Sequence, residues 1–208
     1  MAMNRFPITN VEGDLVAQHR DPDEKLYASL ELNQVAFPKT GMVVSQTPLG
    51  PKFVAKGENV YGVCENGMWV VADKAAGIID APGAATASPI GIVYTTEKEY
   101  DMNHYGLQRF GRKVAGDYPR VGILGLGDTV TTNCVQYDTS YFANDAALEA
   151  ALNNIAEAPL YVAIKAGSPV PQILKEANKP ASGILAKVVK YYTIPNGGKG
   201  IKYQIVRL

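Results

Sequence analysis

The sequence predicts a mainly β protein: a β-barrel or β-sandwich of antiparallel strands, with one amphipathic helix near residues 145–157 and an extended N-terminal arm. Three observations predict it. Short β-branched and apolar runs recur from residue 57 to the C-terminus. Turn signals separate several of them, notably Asn66-Gly67 and the "PNGGKG" of residues 195–200. Only one stretch, "NDAALEAALNNIAEA", has a clear helical period.

The elements follow in order. Residues 1–56 are expected to form an arm and loop region, and residues 57–208 a β domain. Residues 1–20 are aperiodic and read as an extended arm. "DPDEKLYASLEL" has the signals of a short helix start, with Asp21 as cap and Pro22 in the first turn. Pro38, Pro48 and Pro51 mark residues 35–56 as loop, with a short edge strand at 42–46. Residues 60–64 and 68–72 are expected to pair as a hairpin over Glu65-Asn66-Gly67, because Asn-Gly supplies the positive φ of a tight turn. "AAGIIDAPGAATAS" is small and flexible and reads as surface loop. "PIGIVYTT" is a strand, and residues 97–119 make a long polar excursion with aromatic interruptions. "RVGILGL", "TVTTNCVQY", "PLYVAIK", "GILAKVVKYYTI" and "GIKYQIVRL" are strand-like, the last two joined as a hairpin. In the helix, Leu148, Leu152 and Ile155 share one face with Ala151 between them. Asn144 or Asp145 caps it, and Pro159 forbids its continuation.

The glycines in "RVGILGLGDTV" test for a dinucleotide site. That fingerprint needs a third small residue and a following helix N-terminus for the pyrophosphate. Here Gly125 and Gly127 are followed by Val130 in the third place, and "TVTTNCV" is β-branched. The stretch therefore reads as a strand, a Gly-Asp turn and a returning strand. No nucleophile elbow, phosphate loop or zinc-protease helix motif is present, and "GGKG" lacks the Walker spacing. No catalytic residue, cofactor or metal ligand is expected. Glu97, Glu99 and Asp101 would share a face of an extended chain, as a solvated acidic edge. His19 and His104 stand apart from each other and from the cysteines. Cys64 and Cys134 read as two buried thiols in a reducing compartment, since pairing needs Cα atoms within ~7 Å.

Twenty bases balance twenty acids, so nothing at whole-chain level draws the protein to nucleic acid or to an acidic membrane. No apolar run is long enough to span a bilayer, and "MAMNRFPITN" has no signal-peptide core. Tyr105, Phe110 and Tyr118 lie among Arg109, Arg112 and Lys113. Such interleaving serves single-stranded nucleic acid or a protein interface, and neutrality favours the interface. Trp69, followed by two valines, reads as core. "GENVYGVC" (57–64) and "GDTVTTNC" (127–134) echo each other and would mark two comparable hairpins facing one core.

Residues 57–138 run in a recognisable order: "NGMWVVAD", a small-residue loop, "PIGIVYTTEKEYD", "GLQRF", "YPRVGILGLGDTVTTNCVQYDT". This resembles structural proteins of tailed bacteriophages, in particular capsid-surface proteins of the decoration or cement type. The resemblance implies a non-enzymatic virion component, made in the bacterial cytoplasm, that binds the major capsid protein on the outer shell. It implies self-association, with a trimer as one form. Candidate contacts are Arg5 and Phe6 in the arm, and Tyr105, Phe110 and Arg112 in the excursion. Alternatives are another virion subunit (tail, neck or head-fibre base) and a β domain binding host glycan.

Overall fold

The computed structural model describes residues 3–5, 34–36, 43–54, 59–62, 64–73, 75–83, 89–94, 112–193 and 199–208. Within these, two sheets face each other in a sandwich-like arrangement. The larger has eight strands. In chain order these are β1 (Met3–Arg5), β2 (Gln34–Ala36), β10 (Thr129–Thr132), β11 (Gln136–Asp138), β12 (Leu160–Lys165), β13 (Ser168–Lys175), β14 (Leu185–Thr193) and β15 (Lys199–Arg207). Across the sheet they lie β1-β11-β13-β12-β14-β15-β10-β2. The smaller sheet has β3 (Val43–Val44), β5 (Trp69–Asp73), β6 (Ile78–Asp80), β7 (Ile90–Val93) and β9 (Val121–Ile123), in the order β3-β9-β7-β5-β6. A two-stranded ribbon pairs β4 (Cys64–Glu65) with β8 (Arg112–Lys113). All strand pairs are antiparallel except β11 with β13.

Side-chain periodicity explains the layers. Along β14 and β15, Ala186, Val188, Ile201, Tyr203 and Ile205 point into the core, while Lys187, Lys202, Gln204 and Val206 alternate outward. The inward set meets Trp69, Val71, Ile90, Ile92 and Leu124 of the smaller sheet. That sheet is buried on its other face too. Val70, Ile79, Val93 and Val121 pack with Leu49, Phe53, Cys64 and Met68. Burial on both faces is why β5 and β7 read as continuous apolar runs and not as alternating ones.

The helix α1 (Asp145–Asn153) forms on its expected face but ends four residues short of 157, at the C-cap Asn154, whose N–H donates to the Ala151 carbonyl, so Pro159 is not what stops it. Asn144 is the N-cap, and its side chain accepts a 2.9 Å hydrogen bond from the Ala147 N–H. Leu148 and Leu152 are buried in the main core, with Ile155 packed against it. The hydroxyl of Tyr137 donates to Asp145 and ties the first turn to β11. The edge strand expected at 42–46 appears as β3, and β14 with β15 form the expected long hairpin. Both cysteines are fully buried thiols, not joined in a disulfide.

Five expectations are corrected. The turn at Glu65–Met68 exists, with Gly67 at φ 90° and Met68 N–H donating to the Glu65 carbonyl, but it is not a hairpin. Cys64 and Glu65 pair with β8, and Trp69–Asp73 with β6 and β7, because Trp69 and Val71 are drawn to the main core. Ile78–Asp80, read as loop, is a strand whose Ile79 is fully buried. The single run "TVTTNCVQY" is two strands. Cys134 N–H donates to Thr132 Oγ1 and Val135 N–H to the Asn133 carbonyl, turning the chain between them. The Gly125–Asp128 turn is present, but it does not return a strand beside its partner. It carries the chain from β9 in one sheet to β10 in the other. The echo fails as well: residues 59–62 precede β4 as loop, whereas 127–132 are a turn and a four-residue strand.

Strand β13 was not foreseen, since it holds Pro169 and Pro171. Both prolines fall where the β12–β13 register shifts, between the pairs Ala163↔Gln172 and Lys165↔Ser168. Pairing on both sides begins only at Gln172, so no ladder needs their missing N–H groups.

Candidate interaction surface

Among the described residues, strand β3 is the outer edge of the smaller sheet and pairs only with β9, Val43 opposite Gly122 and Val44 opposite Val121. Pro48 and Pro51 just beyond it keep this edge short. The next strand inward is held close. Gly91 on β7 faces β9 at a spot where a Cβ would come within 2.2 Å of Val121 Cγ1. Glycine at 91 leaves the room that the Val121 side chain occupies across the ladder.

A shallow cleft of about 320 Å³ lies along this edge, lined by Val43, Ser45, Tyr94, Arg120 and Gly122. Val43 is 57% exposed, and Tyr118, two residues before Arg120, is also 57% exposed. The Tyr94 N–H donates a 2.8 Å hydrogen bond to the Arg120 carbonyl, fixing the cleft wall. Behind it, the Leu49 N–H donates to the Asp117 carbonyl and the Gly116 N–H to the Leu49 carbonyl, bracing the segment that leads into Tyr118. The cleft offers an aliphatic side chain, a phenol ring, a hydroxyl and a guanidinium on a supported edge, with the exposed Tyr118 two residues before Arg120. That chemistry suits adhesion: apolar area with a few orienting polar groups.

No family model, curated protein or solved structure matches this chain.

Among the described residues, no three His, Cys, Asp or Glu side chains are grouped as metal ligands would be. No helix among them is long and apolar enough to cross a membrane. Trp69 is fully buried in the core, as expected, and is not part of any surface.

The expected contact residues fall in different places. Arg5 ends β1, at the outer edge of the larger sheet, with its backbone opposite Gln136. Arg112 lies in β8, opposite Glu65 in the ribbon. The two are thus in separate sheets. Phe6, Tyr105 and Phe110 lie outside the described residues, as do His19, His104, Glu97, Glu99, Asp101 and the helix start at Asp21. The cleft residues Val43, Ser45, Tyr94 and Arg120 were not singled out. The available signals were the short edge strand containing Val43 and Tyr118's place in the aromatic and basic cluster.

Proposed function

We propose that this chain is a non-enzymatic structural protein of a tailed-bacteriophage virion, which binds the outer capsid surface and stabilises the shell. The observation that carries the reading is the exposed edge of the smaller sheet, where the exposed Val43 lines the Arg120 cleft and the exposed Tyr118 lies two residues before Arg120, over a sheet buried on both faces. An open strand edge with exposed apolar and aromatic side chains favours contact with another protein. The order of motifs in residues 57–138 supports the virion as its setting. The partners are then the major capsid protein and further copies of the chain. Symmetric copies on a lattice turn weak single contacts into firm retention.

The test uses shells assembled with and without the chain. Cosedimentation of the chain with shells, and a higher melting temperature when it is bound, are the expected results. Val43→Asp combined with Tyr118→Ala should abolish cosedimentation while the isolated chain keeps its far-ultraviolet circular dichroism. Shells that melt at the same temperature with and without bound chain remove the stabilising role.

A further inference from the structure

The neutral total conceals a division. Residues 159–208 contain eight lysines and arginines against one acid, Glu176, so the remaining 158 residues carry twelve bases and nineteen acids. The structure gathers part of this positive charge on the outer face of β14 and β15. Lys187, Lys190 and Lys202 are all exposed. Lys190 lies directly opposite Lys202, and Lys187 opposite Gln204, two residues further along β15. Tyr192 is opposite Gly200. Opposed residues of an antiparallel pair share a face, and so do positions two apart. All four side chains therefore occupy one surface, on the larger sheet and separate from the β3 cleft.

Two features make this surface more than solvated charge. First, like charges set directly opposite each other destabilise a sheet. Among the described residues neither Lys190 nor Lys202 has an ion-pair partner to offset that repulsion. Second, the chain already uses tyrosine with lysine to hold carboxylates. Glu176 accepts from Tyr161 Oη at 3.1 Å and from Lys179 Nζ at 2.5 Å, with the Lys179 ammonium 5.1 Å from the Tyr161 ring centre. Glu149 accepts from Tyr191 Oη at 2.8 Å and from Lys199 Nζ at 2.6 Å. A further lysine–tyrosine contact stands on the outer face, with the Lys190 ammonium 5.7 Å from the Tyr192 ring centre and the Tyr192 hydroxyl hydrogen-bonded to Thr131. No carboxylate among the described residues occupies it.

We infer that the outer face of β14 and β15 is a docking surface for a carboxylate-rich protein, with Lys190 and Lys202 receiving an Asp or Glu side chain of the partner and the Tyr192 ring backing the Lys190 ammonium. The repulsion between the lysines is relieved when the carboxylate sits between them. Val189 and Val206, 49% and 41% exposed, supply apolar contact on the same two strands. The charges Lys187, Lys190 and Lys202 are all lysines. They act as point charges and lack the planar fork with which arginine grips phosphate and bases, which favours an acidic protein over nucleic acid.

The test measures binding of the full chain to fluorescent poly-L-glutamate and, separately, to single-stranded oligothymidylate. Poly-L-glutamate should bind at low salt and weaken as salt rises. Lys190→Gln with Lys202→Gln should weaken it roughly tenfold, the sum of two exposed ion pairs. The charge-keeping pair Lys190→Arg with Lys202→Arg should stay within about a factor of two. Absence of poly-L-glutamate binding, or binding indifferent to the glutamine pair, overturns the inference. Tighter binding of oligothymidylate overturns it too, and assigns the face to nucleic acid. The shell experiment above bears on the other surface, so either result stands without the other.

Discussion

The indole Nε1–H of Trp69 donates a 2.8 Å hydrogen bond to the hydroxyl of Tyr203, joining the smaller sheet to the larger. Both residues are fully buried, and their rings meet edge to face with centroids 5.9 Å apart. Burial raises the Tyr203 hydroxyl far above its ordinary pKa, so it stays protonated as the acceptor. Tyr203→Phe keeps the ring but strands the indole N–H in an apolar core. Such a loss costs about 1–3 kcal/mol. Trp69 is the only tryptophan, so urea unfolding followed by its fluorescence reads the effect directly. An unchanged midpoint would mean the bond contributes nothing.

Gly91 predicts a rescue. Gly91→Ala drives a methyl into Val121 Cγ1. Overpacking of this kind costs about 1–3 kcal/mol. Adding Val121→Ala removes the obstructing atom, so the double variant should lose less stability than the sum of the two single variants. Thermal melts of all four proteins close the cycle. Simple additivity would show that the two sites do not meet.

The Tyr61 hydroxyl is pushed up to about 12 by burial and by its hydrogen bond to the Asp80 carboxylate. Its pKa is thus higher in the folded chain than the ordinary 10.0. The unfolded chain therefore loses this proton first as pH rises. The stabilisation is complete below pH 10 and drains away as pH climbs through 10 toward 12. Tyr61→Phe should flatten this part of the alkaline decline in urea midpoints. A decline of equal slope in the variant assigns it to other groups.

The opposed lysines predict the unusual result of a stabilised variant. Lys202→Gln removes one of two like charges, and should raise stability by about 0.2–1 kcal/mol at low ionic strength. The gain should shrink as salt screens the pair. The same change weakens poly-L-glutamate binding. Stability and binding moving in opposite directions is the expected signature of charge kept for a partner. A variant of lower stability would show that Lys202 supports the fold in another way.

What could be read from the sequence was local. The helix at 145–153 combined a cap with an apolar stripe, though Pro159 misled as to its end, and the last hairpin combined two long alternating strands with a glycine turn. What escaped depended on distant partners. Ile78–Asp80 becomes a strand because β5 supplies its ladder, despite alanine and glycine neighbours. Ser168–Lys175 tolerates its prolines because a register shift lies beside them. The Asn-Gly turn was legible, but its flanking strands were assigned to each other, when tertiary burial sends them to different neighbours. Of the candidate surfaces, only the short β3 edge had a local signal. The lysine face was hidden by averaging charge over the whole chain.

The position of β1 and β2 at the two outermost places of the larger sheet has a consequence for synthesis. Met3 is matched to Asp138, and Gln34 to Thr131. β1 and β2 thus leave the ribosome well before β11 and β10, the strands whose ladders they join. Throughout that interval a neighbouring nascent copy presents the same vacant rows. Exchange of β1 or β2 between copies is then in direct competition with closure within one.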